Sequence, residues 1–270
     1  MMNALLTYGF LQRALFAGVF VAIACALLGV FLILRRDAMI GHGLAHIMFA
    51  GVALGLLLNM MPLIAALAVG ILAALAIMRL KDKAGVYGDT AIAIMSSIGF
   101  AAGILIVSFS NKFNVDLFGY LFGDILAIDS TEVWLSIVLA GSVLFVIILF
   151  YRRFMFMTFD RESARAAGIK VKRLDTLLTI LTAVTVVLGM KVVGLLLVSA
   201  LLVIPSAAGL QLASSFKKAI ILASLVAVLS VILGLVFAFY LDFPASGTIV
   251  LFSAFFFLLS IVFKKGHKIV

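Results

Sequence analysis

Polar positions in this chain fall in short knots. Between the knots run apolar stretches of about twenty residues, the length a helix needs to cross the hydrocarbon core of a bilayer. On that ruler the spacing predicts spans over 15 to 34, 38 to 58, 62 to 80, 90 to 109, 133 to 151, 174 to 191, 192 to 213, 219 to 240 and 246 to 263. The stretches are too long for buried strands and lack the roughly ten-residue alternation of a membrane barrel, so helices are the way their backbone is satisfied in lipid. The fold class that follows is all-α, a polytopic bundle of eight to nine transmembrane helices. The count turns on 174 to 213, apolar sequence broken by Gly189, Lys191 and Gly194, which reads as two spans or as one span and a re-entrant piece. Pro205 lies deep in the second piece, where it removes a backbone hydrogen bond and bends a helix.

Two connections are longer than packing requires. The outer one, about 110 to 132, holds Asp116, Asp124, Asp129 and Glu132 against Lys112. Within it, Leu121 to Leu126 is too short to cross and predicts a helix at the interface or dipping into the protein. The inner one, about 152 to 173, contains Phe159 to Ile169, which reads as a short amphipathic helix stopped by Gly168. A solvated helix and a membrane-surface helix would look alike here.

Composition fits this reading. The chain is 66% hydrophobic and 11% charged, with a mean hydropathy of +1.38, so it has too little polar surface to cover a soluble globule. One membrane domain over 1–270 is expected, with no soluble domain left over. Cys25 excludes an internal disulfide and reads as packing. No cleavable signal precedes the first span, which is expected to direct insertion itself.

The net charge of +9 would suggest nucleic acid in a soluble protein, but its placement argues otherwise. With the N-terminus outside and the C-terminus inside, 17 of the 20 basic residues fall on the cytoplasmic side. Only Arg13, Lys112 and Lys191 fall elsewhere. This is the asymmetry of the positive-inside rule, so the basic residues are accounted for by orientation and no nucleic-acid partner is expected.

Ionisable side chains inside such spans are expensive and mark function. His42 and His46 lie one helical turn apart in Gly41-His42-Gly43-Leu44-Ala45-His46. That spacing puts both imidazoles on one face, able to share a metal ion. Counted from Arg36, they lie about 9 Å and about 15 Å along the helix, which places His46 near mid-membrane. The bland alternative is two histidines bonded to carbonyls in a bundle. Gly41 and Gly43 admit either a neighbouring backbone or an ion with its water. The glycine pairs 51/55, 99/103 and 119/123 read as close helix packing. Asp89, opening the fourth span, suits the positive helix end and reads as a cap before a pathway residue. No G-x-x-x-x-G-K-[ST] run is present, so the chain does not itself hold ATP in a P-loop. Nor is there an H-E-x-x-H.

Arg35-Arg36, Met39-Ile40-Gly41, Ala45-His46 and Gly51-Val52-Ala53-Leu54-Gly55 resemble the second-span signature of permease subunits of zinc- and manganese-type ABC importers. The likeness continues through Asp89 with Ile92 to Ile94, through Leu121 to Leu126, and through Gly194 to Pro205, which includes Ser199. It covers nearly the whole chain in order. The resemblance implies a type II importer permease that pairs with a second copy of itself. It also implies a metal ion received from an extracytoplasmic binding protein and two cytoplasmic ATP-binding cassette subunits as the drive. The expected setting is a prokaryotic plasma membrane.

By the same resemblance, Phe159, Asp160, Arg161, Glu162, Ala164 and Gly168 belong to a coupling helix that docks on the ATPase, and His46 matches a histidine proposed to line the metal pathway. Asp89, Ser199 and Pro205 become pathway or structural positions. His42 stands where the family usually has aspartate. Two imidazoles favour zinc over manganese as the transported ion. No permanently bound cofactor is expected, and ATP belongs to the partner subunit. A manganese, iron or chelated-metal importer is the alternative within transport. An intramembrane metal-dependent hydrolase would need a water-activating acid that the histidine helix lacks, and a purely structural subunit would show no metal effect.

Overall fold

The computed structural model describes residues 9–83, 87–110, 115–123, 130–195 and 197–264. Eleven helices run through them: α1 (Gly9–Leu34), α2 (Met39–Leu57), α3 (Pro62–Lys83), α4 (Gly88–Ser110), α5 (Val115–Phe122), α6 (Ser130–Phe159), α7 (Arg161–Ala166), α8 (Val171–Val192), α9 (Val198–Leu212), α10 (Phe216–Leu241) and α11 (Ala245–Val262). Eight of them are long and apolar enough to cross a membrane. The seventh predicted span, 192 to 213, is the shorter α9, whose fifteen residues reach about 22 Å at the helical rise. It is preceded by a break at Val193 to Leu195. α6 departs in the other direction. Its thirty residues extend about 45 Å, past Arg152 and Arg153, where the polar knot had marked the membrane edge.

Helix ends are set by one recurring device. Asp37, Met60, Ile169 and Phe243 each return their amide to the carbonyl five residues back, Leu32, Gly55, Ala164 and Ala238 respectively. The residue before each is left-handed: Arg36, Asn59, Gly168 and Asp242. This closes the orphan carbonyls of α1, α2, α7 and α10. Only Gly168 takes the conformation without a Cβ penalty.

Two groups of helices compose the bundle. α2 packs between α3 and α4, while α1 packs with α9 and α10, and α11 closes against α9 and α10. α8 joins the groups through α3, α1, α2 and α6. Its buried Thr179, Thr182 and Thr185 donate their hydroxyls to carbonyls one turn back, at 3.0, 2.9 and 2.9 Å, so none of these three hydroxyls is stranded. The periphery is apolar: Ile98, Ile104, Leu105 and Phe109 on α4 are exposed, as are Trp134, Phe145 and Ile148 on α6.

Glycines bring helices close at two of the predicted pairs, 51/55 and 99/103. A Cβ on Gly51 would lie 2.7 Å from Ala66 Cα, and one on Gly55 2.7 Å from Pro62 Cα. On α4, Gly99 and Gly103 receive Ile47 and Phe49 of α2 at comparable range. Gly43 does the same for Ile92. The histidine helix is therefore held on two sides by close approach rather than by polar contacts.

Candidate metal pathway and coupling segment

α2 rises from a tight elbow at Arg35–Ala38 and presents His42 and His46 on one face, as the four-residue spacing requires. Their Nε2 atoms lie 3.1 Å apart, and the rings meet edge-on with centroids 4.5 Å apart. His42 is exposed and His46 half-buried. The His46 ring also stands edge-on to Phe100 of α4, 5.1 Å between centroids, and Phe100 in turn leans on Phe49 at 5.3 Å. Aromatic contact thus fixes His46, while His42 faces open space.

The arrangement has a chemical capacity. Two imidazole nitrogens bound to one tetrahedral zinc at about 2.0–2.1 Å would lie about 3.3 Å apart, close to the separation found here. Gly43 serves helix packing, and a Cβ on Gly41 would make only ordinary contact with Leu202, at 3.4 Å. Among the described residues no group of three His, Cys, Asp or Glu side chains converges on one point. Those residues offer the ion two protein donors from one chain, and none of their carboxylic acids stands with the pair.

The remaining predicted residues lie apart from the pair. Asp89 is exposed in the first turn of α4, which begins one residue earlier, at Gly88. Its charge suits that helix end. Ser199 lies in the first turn of α9, and Pro205 is buried inside that helix. Beside Pro205, the Ser206 hydroxyl sits 2.8 Å from Leu202 O and 3.0 Å from Ala26 O, linking α9 to α1.

The inner segment forms α7. Asp160 caps it, accepting the Ser163 amide at 2.9 Å. Bonds from the Ser163 side chain and backbone hold the Asp160 carboxyl below the usual aspartate range, so the ionised cap survives to lower pH than an ordinary aspartate would allow and is lost only as pH falls through that depressed value. Ala164 is fully buried and anchors the helix. Phe159, Arg161, Glu162 and Gly168 are exposed. Phe159 packs edge-on against Phe216 at the start of α10, centroids 5.6 Å apart.

Sequence reasoning missed two carboxylates at this end of the bundle. Asp175 accepts Arg35 on one oxygen and Arg161 on the other. Asp37 accepts Lys81 at 2.8 Å and lies 3.6 Å from Arg35. A lone aspartate inside a knot of basic residues at a span edge is the signal that would have found both. In the outer connection the described helix is α5, which reaches the predicted segment Leu121 to Leu126 at Leu121 and Phe122; the rest of that segment from 124 lies outside the described residues. The end of α5 docks on the break before α9: Leu195 donates its amide to Tyr120 O at 3.0 Å, and Gly194, left-handed at φ 86°, touches the backbone of Leu121, Phe122 and Gly123.

Comparison with known proteins gives one answer at three levels. The profile of the ABC 3 transport family matches residues 7–264. The manganese transport system membrane protein MntC of Listeria monocytogenes is 36% identical over 267 residues, covering 98% of this chain and 95% of that protein. The high-affinity zinc uptake system membrane protein ZnuB of Haemophilus influenzae is 34% identical over 252 residues, covering 93% and 96%. Among solved structures, PsaBC from Streptococcus pneumoniae in complex with Fab superposes with a TM-score of 0.87 at 34% identity, covering 96% of this chain and 94% of the matched one.

Proposed function

The chain belongs to the ABC 3 transport family, and from that premise we propose that it carries zinc across a prokaryotic plasma membrane past His42 and His46. It is the permease subunit of a metal-ion ABC importer. The observation that carries the proposal is the pair of Nε2 atoms 3.1 Å apart on a membrane-spanning helix. Imidazole is a borderline-soft donor and suits zinc better than manganese. Two donors from one chain leave positions for water or for the same pair on a second copy, as a site that has to release its ion requires.

In this reading the metal arrives from an extracytoplasmic binding protein and leaves on the side of Arg35, Lys81 and Arg161. The N-terminus lies outside and the C-terminus inside, by the distribution of basic residues. The whole chain acts as one membrane domain. ATP is hydrolysed by cassette subunits that receive α7, with Glu162 on its exposed surface, Phe159 exposed at the end of α6 just before it and Gly168 just past its end. The names of the relatives, manganese for MntC and zinc for ZnuB, favour manganese as the second reading.

The test uses the complex reconstituted with its ATPase and binding protein in liposomes. Replacing both His42 and His46 by Ala is expected to abolish ATP-driven zinc uptake while the complex still assembles, as size-exclusion chromatography would report. Wild-type uptake by that variant sinks the assignment. Manganese uptake without zinc uptake by the unmodified complex establishes the second reading.

A further inference from the structure

We infer that Asp37 and Lys81 are positioning residues that tie the coupling segment to the histidine helix through a relay of five charges whose centre, Asp175, Arg35 and Asp37, is buried while Arg161 at its outer end is 47% exposed. The inference rests on the proposed roles of α7 and of the histidine pair. The relay runs Arg161, Asp175, Arg35, Asp37, Lys81. Arg161 is the first residue of α7 and binds one oxygen of Asp175 on α8. Arg35, at the end of α1, binds the other. Arg35 also lies 3.6 Å from Asp37, whose remaining oxygen takes Lys81 of α3 at 2.8 Å. Four separate pieces of chain meet in one line.

Burial makes the line more than a surface decoration. The side chains of Arg35 and Asp175 are each 6% exposed and that of Asp37 12%. The neighbouring pair Lys172–Asp82, 70% and 41% exposed, also joins α8 to α3 and shows what an ordinary solvated contact looks like here. Arg35 holds both aspartates through a single nitrogen, Nη2, and its buried Nε and Nη1 find no acceptor among the described residues. Spare donors let the guanidinium re-form its bonds when Asp175 shifts, a second arrangement that a saturated pair would lack.

The far end of the relay is rigidly joined to the pathway. Asp37 stands two residues before α2, and its own backbone is bonded at both ends: its amide reaches Leu32 O at 2.9 Å and its carbonyl takes the Ile40 amide at 3.1 Å. With Arg36 fixed in the left-handed region at φ 60°, the elbow has no slack. A pull on the Asp37 carboxylate turns the first turn of α2, and His42 closes that turn.

Lys81 offers the cleanest test, because it touches neither the histidine pair nor α7. In the reconstituted complex, Lys81→Gln is expected to keep metal binding and basal ATP hydrolysis while the number of ions moved per ATP falls roughly tenfold, the size of an ordinary coupling free energy. Lys81→Arg should restore it. The double variant Asp37→Asn with Lys81→Gln removes both charges and leaves neither stranded, so it separates coupling from stability. A relay leaves this variant folded and still uncoupled. Wild-type ions per ATP in the double variant would reduce the network to a clamp and overturn the inference, as would wild-type stoichiometry in Lys81→Gln. The measured ion is whichever of zinc and manganese the unmodified complex carries. Absence of uptake by that complex defeats the proposed function and not the relay.

Discussion

At the scale of single residues, metal choice rests on His42. His46 is fixed by Phe100, whereas His42 is exposed and free to differ. Exchanging its imidazole for a harder oxygen donor should move preference toward manganese. His42→Asp is therefore expected to lower zinc affinity and raise competition by manganese, read by displacement of zinc from the detergent-solubilised protein. An unchanged ratio of affinities would mean that His42 does not touch the ion. The pair itself was legible in the sequence because four-residue spacing fixes a shared face. The aspartates were not. Asp37 and Asp175 look like minor interruptions of basic knots, and their meaning comes from partners the fold brings to them: Arg35 and Arg161 to Asp175 across 140 and 14 residues, and Lys81 to Asp37 across 44.

At the scale of elements, span after span was legible because an apolar run of membrane length has few other uses. α6 outran its expected end because a helix continues past Arg152 and Arg153 into water until Asp160 begins a new one. The break before α9 was visible as Gly189, Lys191 and Gly194, yet its cause is nonlocal. The end of α5 lies against Gly194, and a Cβ there would meet Phe122 C at 2.4 Å and Leu121 O at 2.5 Å. Both atoms are backbone and cannot turn aside, and the positive φ adds strain of about 1–2 kcal/mol. Gly194→Ala is expected to lower the melting temperature by several degrees and to loosen α5, measured by thermal unfolding in detergent and by amide exchange at Leu195. Equal exchange in both proteins would show that α5 does not rest on this glycine.

At the scale of the whole molecule, burial is uneven in a way that suits assembly. α4 carries the partners of the histidine helix on one face, yet only 17% of its span is buried within the chain. The proposed second copy would cover its other face, where Ser97 and Ile98 are exposed. Cys25 makes this measurable. It is completely buried and should resist thiol reagents until the protein is denatured, so a cysteine added at Ser97 reports alone. Ser97→Cys is expected to give an oxidant-dependent covalent dimer in membranes. Maleimide labelling of Ser97→Cys with no dimer would assign that face to lipid.

The bond between His42 and His46 has one more consequence. With one ring donating its Nε2 proton and the other accepting it, each imidazole satisfies its neighbour inside a membrane that offers little else. An arriving ion has to displace that bond before it gains either nitrogen, and a departing ion is replaced by it at once. Part of the ligand field is thereby cancelled, which shortens the residence time of the cargo and favours turnover over tight storage.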